Sequence, residues 1–302
     1  MSGATDSLRR TIAGAEDLKT VVRSMKALAA SSISQYEKSV HALEDYYRTV
    51  ELGLVACFRL IGGAAVPARG RLKGPGAIGA VVFGSDQGLV GRFNEVLMEL
   101  VTRNLASLEG QTTKIWALGE RVQALVADTG LPQASRLAVP VSVEAITPLV
   151  GQILIEIETA REKDGLEQVY LFHNRPKSGA TYAPVSQRLL PLDDRWRANL
   201  TAVPWPTKYE PEVIGSVEVA LRAFIRGYLF VTLFRACAES LASENASRLA
   251  AMERADRNIE ERLGDLNRTY HRLRQESIDE ELFDVVSGYE ALSKGGVQRS
   301  GE

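Results

Sequence analysis

The first 60 residues hold no proline, and none follows Pro211 in a chain of 302 residues. Proline interrupts a helix interior more strongly than any other residue. Both ends of this chain are therefore free to run as long helices. At the first end, Leu8, Ile12, Ala15, Leu18, Val22, Met25, Ala29, Ser32, Tyr36, Leu43, Tyr46 and Val50 fall at steps of three, four or seven, which is one stripe along a helix. A helix of that extent is roughly 80 Å long, more than a compact domain needs and fit for a coiled coil.

The second end repeats the pattern. Leu249, Met252, Asp256, Ile259, Leu263, Leu266, Tyr270 and Leu273 alternate steps of three and four, with Asp256 as the polar exception in a heptad seam. The helix is expected to run to about Ser293, on the order of 120 Å at ideal rise. Its LASENASRLAAMERADRN stretch (241–258) is slender. Ala242, Ser243, Ala246, Ser247, Ala250 and Ala251 leave room for close approach by a neighbour. A helix that leaves and one that returns pair most simply antiparallel.

Between the ends the period changes. IGGAAVPARGRLKGPGAIG (61–79) is rich in Gly, Pro and basic residues and reads as a linker. Strands are expected at 77–84, 114–119 and 167–174, and helices at 91–105, 120–130 and 142–164. A proline-bearing edge segment is expected at 181–193. Strands alternating with helices give an α/β (Rossmann-like) domain with a mostly parallel sheet. The fold class is thus α/β: a long antiparallel coiled coil of the terminal helices plus a central α/β domain. The expected boundaries are a first helix at 1–60, a linker at 61–76, the α/β domain at 77–194, a linker at 195–210, a second helix at 211–292 and a flexible tail at 293–302.

Composition narrows the function. With 45% hydrophobic and 25% charged residues and a net charge of −2, the chain reads as a soluble globular protein and not as a nucleic-acid binder. No apolar run reaches the roughly 18–20 residues that span a bilayer. The start also lacks the apolar core of a signal peptide, so a cytoplasmic location is the expectation. Cys57 and Cys237, and His41, His173 and His271, are scattered, which predicts buried thiols and no metal site. GSDQGLVGRFN (84–94) follows a strand and opens a helix, the place of phosphate loops. Its glycines at 84, 88 and 91 match neither the dinucleotide nor the Walker pattern, and capping by Ser85 or Asp86 accounts for them. Asp193 and Asp194 read as solvated loop acids. No nucleophile–base set stands out, and no cofactor is expected.

SMKALAAS (24–31), GSDQGLVGRFN (84–94), LASENASRLAAMERADRN (241–258) and YHRLRQESIDEELFDVVSG (270–288) resemble, in order, signature segments of the γ subunit of F-type ATP synthases. The resemblance implies a non-catalytic rotary shaft. Its coiled coil stands within a ring of α and β subunits, and the β subunits carry the ATP sites. Its foot meets the ring of c subunits and the ε subunit. The complex lies at the cytoplasmic face of the inner membrane, and the shaft reaches the membrane only through the c ring. By the same resemblance, Met25, Lys26, Glu244, Arg248, Arg274 and Gln275 touch the β subunits, while Tyr46, Tyr209 and Glu210, with Pro211, belong to the foot. If Met25 lies within a turn of Arg274, Cys57 comes within a few turns of Cys237.

The chain departs from the family pattern at AEDLKT (15–20), at SISQYEKSV (32–40), where a basic run is usual, and in the tail SKGGVQRSGE (293–302). These departures suggest a divergent bacterial-type γ. The alternative reading is a nucleotide- or phosphate-binding α/β domain carrying a coiled-coil oligomerisation arm, and it turns on the 84–94 loop.

Overall fold

The computed structural model describes residues 2–61, 76–107, 113–177, 180–202, 205–209 and 212–297. The expected linker 61–76 lies almost wholly outside them, and of the tail expected at 293–302 the described part, to Val297, is still helical. The chain divides into two compact units, residues 1–27 with 252–302 and residues 28–251.

The first unit pairs the start of α1 (Ser2–Ala42) with the later part of α7 (Val217–Val297). Lys19 donates to Glu260 at 3.1 Å and Lys26 to Asp256 at 3.0 Å, and Arg23 lies 3.8 Å from Asp256. As one number rises the other falls, so the two helices run antiparallel. Val22, Met252, Leu263 and Leu266 are the buried seam. Two members of the stripe read from sequence depart from it. Leu18 is 53% exposed and Tyr46, in the second unit, is 49% exposed. Their neighbours Lys19 and Tyr47 turn inward instead. A stripe written at steps of three and four leaves a choice of adjacent residues at each turn, and hydrophobicity alone chose wrongly at Leu18. The long stem of Lys19 covers apolar surface while its ammonium reaches Glu260.

In the second unit the first helical stretch is broken at Leu43, where the amide bonds back to Val40 at 3.1 Å, a tighter turn than the α-helix, before α2 (Glu44–Ile61) begins. α2 runs against the start of α7. Tyr47 meets Tyr228 with ring centroids 5.9 Å apart, and Gly53 lies so close to the Phe224 ring that a Cβ there would stand 2.4 Å from it. Val50, Leu54, Cys57, Phe58, Leu221 and Tyr228 bury themselves there with Leu200.

The sheet of this unit has the order β3-β2-β1-β4-β5. Its strands are β1 (Ala77–Phe83), β2 (Thr113–Leu118), β3 (Gln133–Leu137), β4 (Leu166–Lys177) and β5 (Ala180–Leu190). The first four are mutually parallel and β5 is antiparallel to β4. β1 is buried at all seven positions, as a central strand covered on both faces must be. Its alternate residues go to two cores. Ile78, Ala80 and Val82 pack with α3 (Phe93–Ala106) and α4 (Glu120–Asp128). Ala77, Val81 and Phe83 pack with α5 (Ile146–Lys163) and with α7 at Leu233, Phe234 and Cys237.

Two elements escaped the sequence reading. β3 is the short edge QASRL, with one fully buried residue and no apolar run to announce it. α6 (Asp194–Thr201) occupies residues read as loop and linker. Asp193 is not a free loop acid: its carboxylate accepts the Trp196 amide at 2.9 Å and caps that helix.

Candidate functional site

The 84–94 loop comes first, because it decides whether the α/β layer binds an anion. Ser85 N–H donates to Asn94 Oδ1 at 3.0 Å, and Asn94 Nδ2 returns a bond to Ser85 Oγ at 2.9 Å. Asp86 uses both carboxylate oxygens. One accepts the Glu120 amide at the start of α4 at 3.0 Å, and the other accepts the Val139 amide at 3.1 Å. Asp86 thus caps the N-terminus of α4, and Asn94 takes the Ser85 amide, so this carboxylate and this amide are both engaged within the chain. Gly119 has φ +102°, and a Cβ there would stand 2.6 Å from the Ser85 backbone, so glycine is needed for this closure.

The crevice at the carboxyl edge between β1 and β4, where strand order reverses, is the usual ligand position of such sheets. Here α7 fills it. Ser240 donates to the Phe83 carbonyl at 2.9 Å, Ser243 to the Asn174 carbonyl at 3.1 Å and Ser247 to the Val90 carbonyl at 2.5 Å. Steps of three and four place these serines on one helix face. This explains the small residues of 241–251: they let the helix lie against strand ends and satisfy carbonyls that a larger side chain would hold off.

Next to Ser240, Glu239 is buried among hydrogen-bond donors. Its carboxylate accepts from Arg175 Nε at 2.7 Å, His173 Nε2 at 2.9 Å and Arg235 Nε at 2.8 Å. Burial raises the Glu239 pKa, but the bonds from His173, Arg235 and Arg175 outweigh it and hold the group at about 2. His173 is pushed below its ordinary 6.5, by burial first and against the pull of Glu239. It therefore stays neutral near pH 7. The sequence offered no signal for this cluster, because His173 and Glu239 lie far apart in the chain and neither sits in a motif.

The residues singled out by resemblance fall in different settings. Glu244 and Arg248 form a buried pair at 2.6 Å, with side chains 7% and 13% exposed. Burial raises the Glu244 pKa against the opposing pull of Arg248. Met25 is half-buried and Lys26 is engaged with Asp256. The Lys26 bond holds the Asp256 carboxyl below its usual range. Arg274 and Gln275 are exposed. Arg274 lines an open cleft of about 220 Å³ with Thr5, Asp6, Tyr270, Ser277 and Glu281. Met25 and Arg274 are thus not brought together: the helix pairing sets Asp256 beside Lys26 and Arg274 beside Asp6. The cysteine expectation built on that pairing changes too. Cys57 and Cys237 are buried free thiols in separate cores. Cys57 packs with Leu221, which places it about 25 Å along α7 from Cys237 at helical rise.

At the expected foot, Tyr46 is half-exposed with its hydroxyl close to Gly227, and Tyr209 is 85% exposed. Glu210 and Pro211 lie outside the described residues. Ile214 and Val219 add exposed apolar surface nearby in sequence. Near the end of α7, Ile278, Leu282, Phe283, Val285, Val286 and Tyr289 are all exposed, between 46% and 75%. Among the described residues no cluster of His, Cys, Asp and Glu could hold a metal ion.

Residues 4–292 match the family model described as ATP synthase. The ATP synthase gamma chain of Leptothrix cholodnii is 26% identical over 301 residues, covering 96% of this chain and 99% of the relative. That of Syntrophus aciditrophicus is 28% identical over 306 residues, covering 97% and 99%. Among solved structures, the rotor of Euglena gracilis mitochondrial ATP synthase has a similar fold, with a TM-score of 0.60 at 15% identity over 92% of this chain and all of the other. A second rotational state of that enzyme, solved with its F1 part and c-ring, gives 0.61 at 16% identity over 100% and 98%. With a loop closed on itself, a crevice filled by its own helix and a family match over nearly its whole length, the chain belongs to the ATP synthase family, among relatives that are bacterial γ chains.

Proposed function

We propose that this chain is the central rotary shaft of an F-type ATP synthase. It couples ion-driven turning of a c ring to the conformational cycle of catalytic β subunits. The observation that carries the reading beyond family membership is the apolar surface of α7 at 278–289. Six large apolar side chains at helical spacing stand in solvent there, a patch that a protein working alone would have to hide. A ring of α and β subunits closing around the helix end would cover it.

The chain works without catalysis of its own. In its candidate phosphate loop the Ser85 amide is taken by Asn94, and the Asp86 carboxylate, which would repel a phosphate, is tied to the Glu120 and Val139 amides. The shaft acts by differential contact: each angular position favours some β conformations over others, and a ligand or partner shifts an equilibrium only by such a difference. Arg274 and Gln275 offer exposed side chains to the β subunits. Met25 offers a half-buried one. Lys26 offers the part of its side chain that Asp256 leaves open, while Glu244 and Arg248, buried as a pair, act on the contact from within by fixing the helix surface above them. Tyr46 and Tyr209, with Glu210, form the foot toward the c ring and ε. No helix of the described residues is long and apolar enough to cross a membrane. The shaft meets the membrane through the c ring, at the cytoplasmic face.

The test is reconstitution. The purified chain alone should neither hydrolyse ATP nor bind it tightly. Mixed with its cognate α and β subunits it should co-purify at one copy per ring and raise ATPase activity. Failure to assemble, or micromolar binding of ATP, NAD or flavin by the chain alone in calorimetry, would replace this reading with that of a nucleotide-binding protein.

A further inference from the structure

We infer that Glu239 is a positioning residue that keys α7 to the sheet, so that turning force passes through a directional contact and not through apolar packing alone; the inference rests on the shaft reading above. Three donors from two elements converge on one carboxylate. His173 and Arg175 are two apart on β4 and so share a face of the strand, and Arg235 lies one helical turn before Glu239 on α7. Glu239 is 6% exposed and His173 is fully buried. The neutral imidazole donates from Nε2, while its Nδ1 is buried without a hydrogen-bond partner.

Two physical arguments single this cluster out. Apolar contact is non-directional, and single neutral hydrogen bonds such as those of Ser240 and Ser243 hold a helix only weakly against turning about its own axis. A carboxylate held off that axis by bonds from β4 resists such turning, because hydrogen bonds weaken steeply with angle. The second argument is that a buried ion cluster gains little stability over apolar packing of equal volume. Stability alone therefore does not account for Glu239, whereas the fixed geometry does. Ser240 and Ser243, next to it on the helix, seat the same stretch on the ends of β1 and β4.

The experiment uses the complete complex in sealed vesicles and measures ATP hydrolysis together with the membrane potential that it generates, so that the identity of the pumped ion does not matter. Glu239→Gln keeps the side-chain volume and removes the charge. Hydrolysis should stay within about twofold of the unaltered complex, and potential generated per ATP should fall about threefold, the size expected when one element of a coupling network is loosened. Val101→Ala, in the α3 core on the other side of β1 and with no α7 residue beside it among the described residues, is the control for simple destabilisation and should keep the unaltered ratio. An unchanged ratio in Glu239→Gln overturns the inference, and so does an equal loss in Val101→Ala. Should Glu239→Gln not assemble, Arg175→Met decides by the same ratio, since it removes one donor and leaves His173 and Arg235 in place. A complex that does not assemble or pump even with the unaltered chain speaks against the shaft reading itself, so the two failures are told apart.

Discussion

One helix carries two opposite surfaces. At 239–247, α7 buries polar side chains: Glu239, Ser240, Ser243, Glu244 and Ser247 are each under 8% exposed. At 278–289 it exposes apolar ones, with Phe283 at 75% and Tyr289 at 74%. The usual rule puts these the other way round. The buried polar groups are paid for within the chain, since each has a hydrogen-bond partner on a neighbouring strand, loop or turn. Of the exposed apolar groups, Ile278 lines the cleft beside Thr5 and Asp6, and the others stand mostly in solvent. The first stretch is thus finished by this chain's own fold, and the second calls for other proteins. The difference separates where the shaft is built from where it works.

The largest effect expected of this contrast is at Glu239. Glu239→Ala leaves Arg175, Arg235 and His173 facing a gap and should cost about 2 kcal/mol, less than for a fully buried pair because the two arginines reach solvent at 42% and 45% exposure, read as a lower melting temperature of the isolated chain. The same cluster sets the acid response. Glu239 drops from an ordinary 4.5 to about 2 on folding, so its contribution is complete above pH 4.5 and is lost as pH falls from there toward 2. His173, also depressed on folding, adds an earlier loss that starts as pH falls below 6.5, because the unfolded chain then takes up a proton that the folded one refuses. Denaturant unfolding measured against pH should show both, and Glu239→Gln should remove the lower step. Next in size is Ser243→Ala, which strips the Asn174 carbonyl of its donor and should cost about 1 kcal/mol. Smallest for the isolated chain is Phe283→Ala, within about 0.5 kcal/mol of no change. The same substitution should weaken binding to the α and β subunits in a titration of assembly. Equal stability losses at Ser243 and Phe283 would break the contrast.

Much of the architecture was legible because long-range order here follows from local pattern. Missing prolines and sustained heptads identify the terminal helices, and apolar runs identify β1, β2 and β4. What was not legible depends on tertiary partners. β3 has no apolar run, because an edge strand with one buried residue needs none. α6 starts at a capping aspartate that resembles any loop acid. The position of Leu18 was misread because period alone cannot choose between it and Lys19, and the ion pair to Glu260 made the choice. Asp256, the heptad exception, is explained only by Lys26 and Arg23 across the seam. That pairing also draws Lys26 from the open surface that the family resemblance gave it. The small residues of 241–251 were visible in the sequence, but their use was not, because the carbonyls they meet belong to β1, β4 and the 84–94 loop.

The central claim is that this chain turns inside a ring of partners. Val141 is 92% exposed, while Cys57 and Cys237 are buried, so Val141→Cys gives a single accessible site for a marker visible by light microscopy. With the α and β subunits fixed to a surface and ATP supplied, the account predicts that the marker revolves in one direction and stops when ATP is removed. Sustained ATP hydrolysis beneath a marker that stays still would contradict it.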